Sequence, residues 1–175
     1  MRYICISIVA TLVLAGTSFA ATINVPGDHA TIQGAIDASS HGDVIAIAAG
    51  TYYEHSLDPN GKAITIGSAS GNLDVTIDAQ QGGSVFVINS GETSGTVIKD
   101  LVITGGTGTE LDVDSSYIVG GGIYSYLSNP TIIDCTIRDN TALQAPGVSH
   151  CGAPPTTQPY TVTRPPANRH GGRLL

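Results

Sequence analysis

Val97-Ile-Lys-Asp-Leu-Val-Ile-Thr-Gly105 and Thr131-Ile-Ile-Asp-Cys-Thr-Ile-Arg-Asp139 are imperfect copies of one another. Asp100 falls on Asp134, Ile98 on Ile132 and Ile103 on Ile137. Each copy reads as a short β-branched strand, a polar corner and a second short strand. A unit of this size cannot bury its own apolar face, so it must stack on its copies.

Working outward, Val44-Ile-Ala-Ile-Ala48, Ala63-Ile-Thr-Ile66, Val75-Thr-Ile-Asp78 and Val85-Phe-Val-Ile88 are further β-branched runs, most of them bounded by Gly, Asn, Asp or Ser. They recur about once per 20 residues without crossover helices, which predicts an all-β solenoid. One helix precedes them. Ile32, Ala35 and Ile36 form an i, i+3, i+4 stripe, which places a helix at about residues 29–39, with Asp28 or Thr31 as its cap. An apolar stripe of this kind can cover the open end of the strand stack, whose unpaired backbone would otherwise be an aggregation-prone edge. The spacing from Val97 to Thr131 exceeds the length of the unit from Gly120 to Ala142. The polar, acidic stretch Thr107–Val119 is expected to loop out and absorb the excess.

These residues carry a resemblance. Thr31-Ile-Gln-x-Ala-Ile-Asp-Ala38, followed by Gly42-Asp-Val-Ile-Ala-Ile-Ala-Ala-Gly-Thr-Tyr-Tyr-Glu54, resembles the opening of right-handed parallel β-helix proteins of the pectin lyase-like superfamily. Gly120-Gly-Gly-Ile-Tyr124 with Asn129-Pro-Thr-Ile-Ile-Asp-Cys-Thr-Ile-Arg-Asp-Asn-Thr-Ala142 is similar to the repeats of exported bacterial β-helix proteins, including chlamydial polymorphic outer-membrane proteins. The resemblance covers roughly residues 22–142. It implies a right-handed parallel β-helix of about five coils, plugged at its N-terminal end by the helix. It implies little about activity, because the superfamily hosts many functions.

The ends of the chain read differently. Arg2, the mostly apolar run from Tyr3 to Leu14, and the small residues ending at Ser18-Phe19-Ala20 have the form of a secretory signal, residues 1–20, cleaved near Ala20 or Ala21. The apolar run is shorter than the roughly 20 residues a spanning helix needs, so no transmembrane segment is expected after cleavage. All 14 Asp and Glu lie between residues 22 and 142, opposed there only by Lys62, Lys99 and Arg138. From Leu143 onward there is no acid, but there are three arginines and six of the nine prolines. This shift marks a boundary. Residues 143–175 are expected to be a disordered linker or a frameshifted continuation, leaving the helix truncated at its C-terminal end. An acidic body argues against nucleic acid as a partner. Cys135 sits on an apolar strand position and reads as a small buried residue, and no Cys/His spacing suggests zinc.

Three sets of residues are candidates for chemistry. Glu110-Leu-Asp112-Val-Asp114 alternates carboxylates, which on an extended chain share a face and could hold a hard cation such as Ca²⁺. Asp100 and Asp134, at equivalent corners, would repel unless one is protonated or a cation intervenes, and the expectation is that each bonds turn backbone. Val162-Thr-Arg164-Pro-Pro166-Ala-Asn-Arg169 resembles the V-x-R-x-P-x-x-R pattern of pectate lyases, in which an arginine takes the sugar's C5 proton while Ca²⁺ offsets the uronate charge. That resemblance would make Arg164 or Arg169 catalytic. The companion W-x-D-H motif is absent, since the chain has no tryptophan. His29, His41 and His55 fall in loops and read as turn residues. The resulting expectation is a secreted, periplasmic or cell-surface scaffold of bacterial type, non-catalytic, contacting polysaccharide or other cell-surface components. The alternative is a pectate lyase-like or other polysaccharide-degrading enzyme whose site is incomplete in this chain.

Overall fold

In a computed structural model, which describes residues 20–111, 118–143, 147–151 and 160–163, the β-branched runs become short strands. The order is β1 (Thr22–Val25), α1 (Ile32–Ala38), β2 (Val44–Ile47), β3 (Gly50–Tyr52), β4 (Thr65–Ser68), β5 (Val75–Asp78), β6 (Phe86–Ile88), β7 (Val97–Lys99) and β8 (Leu101–Thr104). It continues with β9 (Thr109–Glu110), β10 (Ile118–Val119), β11 (Ile123–Tyr126), β12 (Thr131–Ile133), β13 (Cys135–Arg138), β14 (Val148–Cys151) and β15 (Tyr160–Thr163). Two five-stranded sheets, β1-β2-β4-β7-β12 and β3-β5-β8-β13-β15, and a three-stranded sheet, β6-β11-β14, hold all but two of the strands. Every pairing in these three sheets is parallel. The protein is therefore all-β, with one helix among the described residues.

Register follows from the alternation of the strands. Ile23, Ile45, Ile66, Ile98 and Ile132 stand opposite one another across the first sheet. Tyr52, Ile77, Ile103 and Ile137 do so across the second. Leu57, Phe86, Ile123 and Val148 line up across the third. These three rows supply ten of the 22 residues of the buried core cluster. Each isoleucine so buried contributes roughly 1.5–3 kcal/mol, and a slip of one residue would turn a whole row outward. The two copies in the sequence pair as their alignment predicts, with Val97 on Thr131 and Ile98 on Ile132.

At two corners a single residue joins the strands. Asp100 (φ 56°) joins β7 to β8, and Asp134 (φ 48°) joins β12 to β13. A left-handed backbone position favours Asp among non-glycine residues, which explains the polar residue at each corner. The expected excursion is also present: β9 and β10 form an antiparallel pair inside Thr107–Val119. Beyond Ala142 the alternation of the sequence fades, yet β14 and β15 still pair in parallel with β11 and β13. Val148-Ser-His-Cys151 and Tyr160-Thr-Val-Thr163 are the two β-prone runs in an otherwise Pro-rich stretch, and that is where pairing resumes.

The helix is shorter than the predicted 29–39 and is held by charges from distant loops. Thr31, not Asp28, is its cap, with the Gly34 N–H donating to Thr31 Oγ1 at 3.1 Å. Asp28 instead accepts from the Asn24 backbone and side chain. Glu54 receives the Ile32 N–H at 2.7 Å and the Gln33 N–H at 3.0 Å. Lys62 Nζ donates to the Ile36 and Asp37 carbonyls at 2.7 and 3.0 Å, at the other end. An anion at the N-terminus and a cation at the C-terminus both oppose the helix dipole, which stabilises a helix too short to persist alone.

Candidate functional site

Two glycine-rich loops stack beside the third sheet. Residues 79–84 follow β5, and residues 105–108 follow β8. The Gln81 N–H donates to the Gly105 carbonyl at 2.7 Å, and the Thr107 N–H donates to the Gly83 carbonyl at 2.9 Å. With Ser56 and Val87 these loops and β9 form an open groove of ≈ 430 Å³, lined by Ser56, Gln81–Ser84, Val87 and Thr107–Glu110. Its floor is fixed by Ser84, 1 % exposed, whose hydroxyl lies 2.7 Å from Thr109 Oγ1 and 2.7 Å from the Gly120 carbonyl. Three non-glycine residues beside the groove have left-handed backbone: Ser56 (φ 55°), Gln80 (φ 49°) and Gln81 (φ 64°). Such conformations persist only where the surrounding structure holds them. His55 Nδ1 lies 3.2 Å from Ser56 Oγ, and its ring packs so closely on Gly82 that a side chain there would collide with it.

Of the acidic loop candidates, Glu110 borders this groove and is exposed. Asp112 and Asp114 lie outside the described residues, as do Arg164, Arg169 and residues 1–19. No group of three His, Cys, Asp or Glu side chains converges as a metal site among the described residues. The remaining groove residues were not singled out from sequence. The signal that could have found them is the pair Gln80-Gln-Gly-Gly83 and Gly105-Gly-Thr-Gly108, glycine-rich loops at equivalent positions after neighbouring strands.

A second groove, ≈ 410 Å³, runs along the corner row and is lined by Gly71–Leu73, Asp100, Asp134, Cys135 and Thr136. The expectation that Asp100 bonds turn backbone is corrected: its carboxylate meets Lys99 Nζ at 3.2 Å. Lys99 thus supplies a positive charge beside one of the two corner carboxylates. Burial, with the Asp100 and Asp134 carboxylates adding to it, pushes the Cys135 thiol up to about 12. At neutral pH it is a thiol donating weakly to the Ile133 carbonyl, not a nucleophile.

Other charged and polar groups are committed to the frame. Glu92, 2 % exposed, accepts from the Gly61 N–H at 2.9 Å, the Ser90 N–H at 2.9 Å and the Ser128 hydroxyl at 2.8 Å. It thereby ties three successive loops together. Asp58 is raised above the usual carboxylate range, chiefly by burial and secondarily by repulsion from Glu92 and Asp37. Its contacts are to Asn60 and, through its backbone, to Gln33. His41 Nδ1 accepts the Ala63 N–H at 3.0 Å, a loop tether.

Fold and site together define an all-β protein of stacked parallel sheets with a shallow polar groove on one side. Among the described residues no helix is long and apolar enough to cross a membrane. Comparison with protein-family models, curated proteins and solved structures finds no match for the chain.

Proposed function

We propose that the chain is an exported, non-catalytic scaffold that contacts polysaccharide at the bacterial cell surface. Its fold in this reading is a right-handed parallel β-helix related to the pectin lyase-like superfamily. The helical plug, the recurring strand register and the single-residue Asp corners support that relation, together with the motifs in the sequence. The observation that carries the functional reading is how the polar groups are used. Glu54, Lys62, Glu92 and Asn140 hold loops and tiers to one another, as do the Ser84, Thr107 and Thr109 hydroxyls, whereas the groove beside the third sheet presents the Gln81 amide, the Glu110 carboxylate and open glycine backbone. A shallow surface of this kind suits an extended polymer better than an enclosed small molecule.

The test uses the full chain after signal removal, mixed with a panel of plant and bacterial polysaccharides. Depletion of protein onto the polymer is measured beside release of reducing or unsaturated chain ends. Binding without release is the expected result. Catalytic release of chain ends would sink the non-catalytic reading, and an absence of binding to every polymer would sink the polysaccharide contact.

A further inference from the structure

We propose that the groove selects uncharged glycans, whose sugars carry hydroxyls and no carboxylates, and rejects polyuronates. The inference rests on the reading of the groove as a polysaccharide contact and assigns its ligand class.

The argument begins with the cations. Among the described residues, Lys and Arg are represented by Lys62, Lys99 and Arg138 alone. Lys62 is held by the helix carbonyls of Ile36 and Asp37. Lys99 is paired with Asp100, and Arg138 Nη1 with Asp139 at 2.6 Å. None of them lines the groove. A polyuronate entering it would therefore meet no free cation among the described residues, in a chain of formal net charge −7. It would also meet Glu110, whose carboxylate forms no ion pair or hydrogen bond with any described residue. Like charge at short range excludes a ligand more sharply than a missing contact does.

The same carboxylate suits a neutral sugar, because its two oxygens can accept both hydroxyls of a vicinal diol. Gln81 supplies a complementary group: it lines the groove and is exposed, so its side-chain amide faces a ligand while its backbone N–H and carbonyl are held by Gly105 and Thr107 Oγ1. At Gly83 the nearest atoms to a side-chain position are 3.8 Å away, so a sugar ring can approach the backbone there. Among the described residues His55, packed on Gly82, is the basic side chain beside the groove, so binding is to be measured at mildly alkaline pH.

The experiment measures equilibrium binding at mildly alkaline pH to uncharged polymers (a β-glucan, a xylan, a mannan and a galactan) and to polygalacturonate. Each is run in EDTA and in millimolar Ca²⁺. Saturable binding to at least one uncharged polymer and none to polygalacturonate is expected. Glu110→Gln and Gln81→Ala should each weaken that binding about tenfold, the loss of one strong hydrogen bond, with the melting temperature unchanged. Polygalacturonate binding as tight as that of any uncharged polymer, with or without Ca²⁺, overturns the selectivity while leaving the polysaccharide reading intact. Uncharged-polymer binding that neither variant alters overturns the groove as the site. No binding to any polymer removes both readings together.

Discussion

Replacing Glu54 by alanine should detach the helical plug while leaving the strand stack folded. Glu54 holds the Ile32 and Gln33 N–H groups at 2.7 and 3.0 Å, two of the amides that a helix cannot satisfy internally. Hydrogen bonds to a charged group contribute about 1.5–3 kcal/mol each. Water can replace the partner of Gln33, which is half-buried, but not readily that of Ile32, which is fully buried. The expected loss is therefore about 2–3 kcal/mol, with about 1 kcal/mol for Glu54→Gln, which keeps one acceptor and loses the charge. In a domain of this size that corresponds to a fall in melting temperature of about 5–10 °C for the alanine variant. Thermal and urea melts followed by circular dichroism give the magnitude, and hydrogen exchange gives its location. Loss of protection should concentrate at Ala35 and Ser39, whose amides close the helix, and at β1 and β2 beneath it. A stability loss under about 0.5 kcal/mol, or protection lost evenly through β7, β8, β12 and β13, would refute the reasoning.

Three further outcomes follow from the same geometry. Ile98→Ala, in the middle of the isoleucine row, should cost about 3–4 kcal/mol in urea unfolding, and Ile23→Ala, in the end strand and only partly buried, markedly less. Asp43 accepts the Ala21 and Ser40 N–H groups, each at 2.8 Å, and these bonds hold its carboxyl below the ordinary 3.8. Its contribution is present above pH 3.8 and lost as pH falls through the lower folded value, so wild-type and Asp43→Asn melting curves should converge below about pH 4. The Cys135 thiol, raised from 9.0 to about 12, should resist alkylation in the native state, and its contribution to stability should fall as pH rises from about 9 toward 12, because the unfolded chain loses that proton first. Rapid native labelling of Cys135 at pH 8 would contradict its placement.

Strand positions were legible because the period-two alternation of Ile and Val is a local signal, and every strand buried on one face must obey it. The paired register of the two copies was legible for the same reason. The groove was not. Ser56, Gln81, Ser84 and Thr107 come from three separate loops, and although glycine-rich runs mark two of them, only the stacking of the loops brings the residues together. Thr107–Val119 was expected to leave the stack, and its β9–β10 pair does so. The sequence reading of Asp100 failed at a finer level. It weighed protonation, an intervening cation and turn backbone, favoured turn backbone, and did not name Lys99, the adjacent residue, as a partner.

The buried polar groups explain why an excursion can be inserted without disturbing the rows. The Asn140 amide, 4 % exposed, accepts the Gly106 N–H at 2.8 Å and donates to the Ile103 carbonyl at 3.0 Å. This fixes the chain just before the excursion begins. Ser84, through the Gly120 carbonyl, fixes it just after the excursion ends. A side chain at Gly106 would collide with the Gly121 carbonyl, so the two roots of the excursion also pack directly on each other. With both roots pinned, the length between them can change while Ile103 still faces Ile137 and Phe86 still faces Ile123. Loop-closure cost grows slowly with length, so the stack tolerates such an insertion at little expense in stability. The inserted segment can then vary while the rows beneath it keep one register.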